Sequence, residues 1–441
     1  MSIKEKKNKF FDKILNLIIF IPLISYIIGF YLNENSAGMG DFAADSTWIR
    51  SNINIFLQNN LIEAIFHPDL FGNRPPLIYI INKIFNPFFD DYEKYRLVVF
   101  FMSLLGPIFF YKCLTIRFDE VDKKILFLLA STIYLSPYYR TSGYWGLNEN
   151  YAIFSMILSF LFLEKFLKFE SKKLYNVLLI TFLSSLTLYF DQKFLIVPLV
   201  CFFSIILKDV NKKYKIISFV TYLILSIPYL YLIFRWKGIV PPATQLANPN
   251  TITSIEDIQN IYFIHIGYAI TLISFYLLPL ILFTGDYIEI KKKLKNFIFN
   301  KKIFFLILIP IVYITIINLN FDFEKITVTN YWLGYGVVHK FTTLVTNEIF
   351  FREIITYIFF FFSFMLILYF YSLSKKDFFL IIYFVLISLF LWPLMQEYFD
   401  PIVFIIAIAL FKSLKIINKL NLSILIFYQV IFLVIANIYY H

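Results

Sequence analysis

The chain has 441 residues, of which 60% are hydrophobic and only 16% charged, a balance far outside that of a soluble globular domain and one that points to a membrane protein. Its formal net charge of +11 does not indicate a nucleic-acid partner, because the lysine runs fall between apolar stretches, where anchoring at a cytoplasmic surface accounts for them. The two cysteines, Cys113 and Cys201, each lie inside an apolar run, which argues against a disulfide framework and a cysteine-based zinc site.

The N-terminal segment MSIKEKKNKFFDKILNLIIFIPLISYIIGF joins a basic start to an apolar run without a small-residue cleavage site. It reads as a retained first helix over 14–32 with a cytoplasmic N-terminus. A first outer loop, 33–95, follows and contains Gly40-Asp41 and Asp45. Within it, IRSNINIFLQNNLIEAIF places Ile49, Ile53, Phe56, Leu57, Leu61, Ala64 and Ile65 at helical spacing, with Arg50, Asn52, Asn59 and Glu63 on the other face. This pattern predicts an amphipathic helix lying in the interface with its apolar face in the bilayer, capped by Asp45 or Ser46. The stretch FGNRPPLIYIINKIF then starts a second short helix, because proline suits a first helical turn, and this fixes Arg74 at a helix start facing the headgroup layer.

Further apolar runs fall at 96–115, 125–138, 151–166, 174–190, 194–207, 216–234, 261–283, 303–319, 355–372, 378–395, 401–412 and 422–440. With the first they predict about thirteen spans across roughly 30 Å of hydrocarbon. Alternation from a cytoplasmic N-terminus puts KNKFFDK, RFDEVDKK, EKFLKFESKK, KDVNKKYK, IKKKLKNFIFNKK, LSKKD and KSLKIINK all on the inner side, as the positive-inside rule requires. The outer side receives 33–95, 139–150, the hairpin Asp191-Gln192-Lys193, 235–260, 320–354 and 396–400. The expected fold is therefore an all-α polytopic membrane protein with interfacial helices in its first outer loop. It divides into an N-terminal catalytic module, 1–210, and a variable C-terminal module, 211–441. The excess of Phe, Ile, Tyr, Lys and Asn matches an AT-rich coding sequence and carries no functional weight. Together with the short loops it suggests a plasma (inner) membrane.

This topology collects Asp41, Asp45, Arg74, Arg140, Glu149, Asp191, Lys193, His339, Lys340, Arg352, Glu397 and Asp400 near one membrane boundary. Carboxylates beside cations at the depth of lipid phosphates suit an enzyme acting on an anionic lipid. Each residue also has a plainer reading. Asp41 is placed to be a solvated loop residue or a cap, Arg74 to snorkel to headgroups, Glu149 to be a helix-start acid favoured by the dipole, and Asp191–Lys193 to be a local salt bridge. His339-Lys340 reads as an exposed loop pair. The histidines, at 67, 265, 339 and 441, are scattered, which weighs against a protein-only metal site.

A first span followed by an outer-loop acid, an amphipathic helix and RPPL about thirty residues later resembles the GT-C superfamily of polyprenyl-phosphate-sugar-dependent membrane glycosyltransferases, such as protein mannosyltransferases and lipid A aminoarabinose transferases. GLNENYAIFSMILSF (146–160) is similar to that family's second-loop acid, and SLTLYFDQKFLIVPL (185–199) to its lysine-bearing hairpin. The similarity covers roughly residues 10–210. It departs from the family pattern in Gly-Asp-Phe in place of an Asp-Glu pair, and in Asp191-Gln192-Lys193 in place of Thr-Lys-Gly.

The resemblance implies transfer of a sugar from a polyprenyl-phosphate donor to a lipid-linked glycan, lipid or protein on the outer face, with inversion at the anomeric carbon. It implies Asp41 as the base, with Asp45 the alternative register, and Glu149 as a second acid that positions the acceptor or holds a divalent metal. No cofactor is required by the residues themselves. Arg74 and Lys193 would hold phosphate, a guanidinium fork matching two oxygens and lysine acting as a point charge. Asp191 and Arg140 complete the expected substrate-binding set. Two other readings stay open. One is a polysaccharide polymerase or ligase of the O-antigen type, which depends on arginine-rich outer loops. The other is a lipid-sugar flippase or transporter, which favours broken spans and mid-membrane charges.

Overall fold

Where no water can bond a bare backbone group, an apolar run must close its own N–H···O=C ladder, and a helix does so within one segment. The computed structural model follows this rule. It describes residues 20–37, 45–72, 74–169, 172–247, 261–282, 292, 295–297, 301–320, 335–391, 394–412 and 422–440, and every regular element among them is helical. Among the described residues, six helices are long and apolar enough to cross a membrane: Tyr92–Arg117, Asn148–Lys168, Lys173–Phe190, Lys212–Trp236, Ile264–Ile281 and Ile349–Leu373. The remaining apolar runs, where described, fall on helices of 20 and 19 residues at Lys301–Asn320 and Leu422–Tyr440 and elsewhere on shorter ones. Lys123–Ser131 and Ile402–Leu410 have 9 residues each, a rise of about 14 Å. Hydropathy counts apolar residues but not the 3₁₀ turns at Thr132–Leu135 and Gln192–Leu195 that interrupt them.

The chain divides into two units, Met1–Ala247 with Ile426–His441, and Asn248–Leu425. The boundary expected at 210/211 lies inside the first unit, because Lys212–Trp236 packs against Lys173–Phe190.

The first unit runs α1 (Ile21–Tyr31), α2 (Asp45–Gln58), α3 (Leu61–Ile65), α4 (Leu77–Phe85), α5 (Tyr92–Arg117), α6 (Lys123–Ser131), α7 (Pro137–Trp145), α8 (Asn148–Lys168), α9 (Lys173–Phe190), α10 (Ile196–Leu207), α11 (Lys212–Trp236) and α12 (Pro242–Ala247). Its core is α8, held between α5 and α9, with Ala152, Met156, Ile157, Phe160 and Leu163 fully buried. The facing side of α9 carries Thr181, Ser184 and Thr187, whose hydroxyls donate to carbonyls of their own helix. Such small, internally satisfied residues let two helices approach closely.

The amphipathic pattern over 45–65 is realised as α2 and α3, separated by Asn59 and Asn60, the second of which caps α3 in a capping box with Glu63. The apolar face of α2 does not turn outward to lipid. Ile49, Ile53 and Phe56 are buried, because α4 offers them an opposing apolar surface on which the Phe56 and Tyr79 rings lie 5.5 Å apart. Lys83 of α4 donates to the carbonyls of Phe56 and Asn59, satisfying the open C-terminal end of α2 and complementing its dipole.

The second unit contains α13 (Ile264–Leu282), α14 (Lys301–Asn320), α15 (Gly336–Val345), α16 (Ile349–Leu373), α17 (Lys375–Ser388) and α18 (Ile402–Leu410). Here α13 packs against α16, α17 and α18. His265 is buried, with Nδ1 2.9 Å from the Ser388 carbonyl and Nε2 3.3 Å from the Tyr335 hydroxyl, so both ring nitrogens are engaged in packing the helices together.

Candidate functional site

Three helix ends in the first unit converge on one point. Ser136 caps α7 by accepting from the Tyr139 N–H at 3.1 Å, with Pro137 in the first turn. The helix ends at Gly146, whose φ of 76° is left-handed. Its last carbonyls are taken up by α5. Arg96 Nε donates to Tyr144 O at 2.7 Å, the Tyr92 hydroxyl to Trp145 O at 3.0 Å, and the Tyr95 hydroxyl to Gly146 O at 2.8 Å. This clamp turns the chain directly into α8, so that Glu149 lies in the first turn of α8. Asn148 beside it donates to the Phe190 carbonyl at 3.2 Å, which ties the start of α8 to the end of α9 and brings Asp191 alongside.

The arginine arrives on a loop fixed at two successive residues. The Asn52 amide on α2 donates to the Phe71 carbonyl at 2.5 Å and accepts from the Phe71 N–H at 3.2 Å. The Thr244 hydroxyl accepts from the Gly72 N–H at 2.8 Å and donates to the Gly72 carbonyl at 3.1 Å. Gly72 has φ of 151°. Two prolines follow Arg74, and Pro76 is the N-cap of α4.

The result is a ring of four alternating charges. Arg74 Nη2 donates to Glu149 Oε1, and Arg74 Nε donates to Asp191 Oδ2 at 3.0 Å. Lys193 Nζ reaches the same two oxygens, Glu149 Oε1 at 3.3 Å and Asp191 Oδ2 at 3.3 Å. The other Asp191 oxygen accepts from the Lys193 backbone N–H at 3.0 Å. Both carboxylates are 8% exposed and Lys193 6%, while Arg74 is 22% exposed and is the open side of the ring. The second Glu149 oxygen, Oε2, is buried with no hydrogen-bond partner. An ionised carboxylate leaves an oxygen bare in a buried setting at considerable cost, so this atom marks where a hydroxyl or another donor fits.

The sequence-predicted residues thus separate. Arg74, Glu149, Asp191 and Lys193 meet. Asp41, with Met39 and Gly40, lies outside the described residues. Asp45 opens α2 and acts electrostatically, with Arg74 and Glu149, on the Tyr79 hydroxyl, which burial pushes up to about 12. Arg140 is elsewhere and fully engaged. Its guanidinium donates to both carboxylate oxygens of Glu34, to the Ser25 hydroxyl and carbonyl, and to the Tyr134 carbonyl. All five of its N–H donors are accounted for, and it anchors α1 to α7. Glu397 and Asp400 belong to the second unit.

Among the described residues no group of three His, Cys, Asp or Glu side chains comes together. Glu149 and Asp191 are matched one for one by two cations, so the ring lacks the surplus of anionic oxygen that a divalent ion needs. Asn52, Thr244 and Glu34 were not found as supporting residues from sequence. Asn52 lies on the polar face of the first-loop helix, Thr244 on the six-residue α12 and Glu34 in a loop, the last two in stretches with no periodic signal.

Compared with protein-family models, curated proteins and solved structures, the chain matches none of them.

Proposed function

We propose that the chain is an integral membrane glycosyltransferase that moves a sugar from a polyprenyl-phosphate donor to a lipid-linked glycan, lipid or protein acceptor on the outer face of the plasma membrane. The observation that carries this reading is the buried ring of Arg74, Glu149, Asp191 and Lys193, with one bare Glu149 oxygen. Support also comes from the motifs that resemble the GT-C superfamily, because four of the seven residues in the catalytic and substrate-binding set expected from sequence, Arg74, Glu149, Asp191 and Lys193, form this ring.

In the proposed reaction the acceptor hydroxyl oxygen bonds to the anomeric carbon as the bond from that carbon to the donor phosphate breaks. The electron pair leaves with the polyprenyl phosphate, and the acceptor proton passes to a carboxylate. Arg74, as the exposed member, is the phosphate-facing cation, and Lys193 behind it holds the charge balance as the phosphate departs. Glu149 Oε2 accepts a hydrogen bond from the acceptor. Asp41 is assigned as the base, and Asp45 is its alternate.

The test is transfer of labelled sugar from polyprenyl-phosphate donors to an extracted lipid fraction by membranes containing wild type, D41N or R74Q at equal expression. Both variants are expected to lose transfer by about a hundredfold or more. Activity unchanged in D41N moves the base to Asp45 or Glu149. Absence of transfer by the wild type from every donor overturns the reading and favours a flippase or polymerase.

A further inference from the structure

A cluster of basic side chains, His339, Lys340 and Arg352, lies in the second unit, in the stretch YGVVHKFTTLVTNEIFFRE (335–353). The pair His339-Lys340 is not the exposed loop pair that sequence suggests. It lies on α15, whose start is bent by the left-handed residues Tyr335 (φ 38°) and Gly336 (φ 61°) and held by Gln396, whose side-chain oxygen accepts from the Val337 N–H at 2.8 Å. Helix α15 packs on α16, and both residues are half-buried.

Arg352 in the first turns of α16 donates from Nε to the Thr346 carbonyl at 2.8 Å, which pins its stem to the end of α15. Its two terminal nitrogens make no hydrogen bond to the described residues. His339 Nδ1 is buried and has no hydrogen-bond partner. Burial, Arg352 and Lys340 push the His339 imidazole down to about 4, and no carboxylate figures among the groups acting on it. The two acids nearby in sequence are placed otherwise. Glu353 accepts from the Tyr357 hydroxyl at 2.9 Å, and Glu348 stands at the N-cap of α16, where its backbone N–H donates to the Thr346 hydroxyl.

The surroundings are apolar and open. Phe341, Leu344, Val345, Phe350 and Phe351 are 47%, 70%, 54%, 67% and 56% exposed. A soluble anion gains nothing from such a rim, whereas an amphiphile buries its chain there while its head meets the cations.

We propose that His339, Lys340 and Arg352 form a binding site for the phosphate of an anionic lipid, its hydrocarbon chain lying over Phe341, Leu344, Val345 and Phe350. The guanidinium edge of Arg352 takes two phosphate oxygens, Lys340 contributes charge, and the orphaned imidazole nitrogen gains a partner. This site is independent of the glycosyl-transfer reading and remains if that reading fails.

The experiment counts lipids bound to the full-length protein in detergent micelles by native mass spectrometry, with phosphatidic acid and phosphatidylcholine offered in turn. The wild type is expected to retain phosphatidic acid preferentially, and R352Q to lose that preference by about tenfold or more while phosphatidylcholine binding stays unchanged. H339Q and K340Q carry the same test if R352Q does not fold, and R352K, which keeps the charge but not the fork, is expected to fall between wild type and R352Q. Equal retention of the two lipids by the wild type, or undiminished phosphatidic acid binding in all the variants, overturns the site. Displacement of bound phosphatidic acid by inorganic phosphate overturns the assignment to a lipid in favour of a soluble phosphate.

Discussion

At Glu149 one carboxylate oxygen serves two cations and the other serves none, and this asymmetry governs what substitution does there. Charge pairs taken out of water are stable only as complete sets, and removing one member leaves its partner buried and uncompensated, at roughly 3–5 kcal/mol. E149Q alone is therefore expected to destabilise the protein more than the charge-neutral double variant E149Q/K193Q, which removes one charge of each sign. Denaturant unfolding in micelles measures the difference, and a double variant at least as destabilised as the sum of the two singles would show that the ring is not electrostatically coupled. Sequence reading found all four ring residues because charged side chains at the ends of apolar runs are scarce and conspicuous. It also drew Arg140 into the set, since nothing local distinguishes a catalytic arginine from one whose donors are consumed by Glu34, 106 positions away.

At the scale of elements, the site depends on two glycine-bearing corners that aim helices rather than touch substrate. An added Cβ at Gly146 meets the Tyr95 ring at 2.6 Å, on a residue already at φ of 76°. G146A is thus opposed by both conformation and space. An added Cβ at Gly72 meets nothing within 4 Å, so there only the backbone conformation resists. The expected order is that G146A lowers the unfolding free energy by about 2–4 kcal/mol and G72A by about 1–2 kcal/mol. Unfolding curves compare the two, and equal losses would mean that the Tyr95 ring gives way freely. Proline spacing made the start of α4 legible in the sequence, and the apolar periodicity made α2 legible. The surface on which α2 would lie was not legible, because Ile49, Ile53 and Phe56 suit lipid and protein alike and only the presence of α4 decides between them. The loop clamps from Asn52 and Thr244 lie beyond any local pattern, since they bridge 19 and 172 positions.

Across the first unit, loops that charge alone assigned to the same side do end up joined. Arg74, Glu149, Asp191 and Lys193 link three of the segments expected on the outer side, and the Gly72–Thr244 pair adds a fourth. Arg117 with Glu164 at 3.0 Å, Lys168 with Asp119 at 2.9 Å, and Lys208 with the Leu167 carbonyl at 3.4 Å join three of the lysine-rich segments to one another. Lysine placement could specify this grouping because the cost of moving cations across a bilayer sorts whole loops, whatever their internal structure. It could not specify how many apolar runs cross, because a run broken by a 3₁₀ turn has the same hydropathy as an unbroken one. Which end faces outward is an expectation of the positive-inside rule and is open to direct measurement. Single cysteines at Asn60 and Leu246, both exposed, and at Lys124 and Lys213, also exposed, are introduced one at a time and treated in intact cells with a membrane-impermeant maleimide. The native Cys113 and Cys201 are buried and supply a low background. Labelling is expected at positions 60 and 246 and not at 124 and 213 until the membrane is opened. The reverse pattern would invert the topology and put the charged ring on the cytoplasmic side, where a donor loaded on the outer leaflet could not reach it. A mixture within either pair would contradict the grouping that the salt bridges and the lysine runs support together.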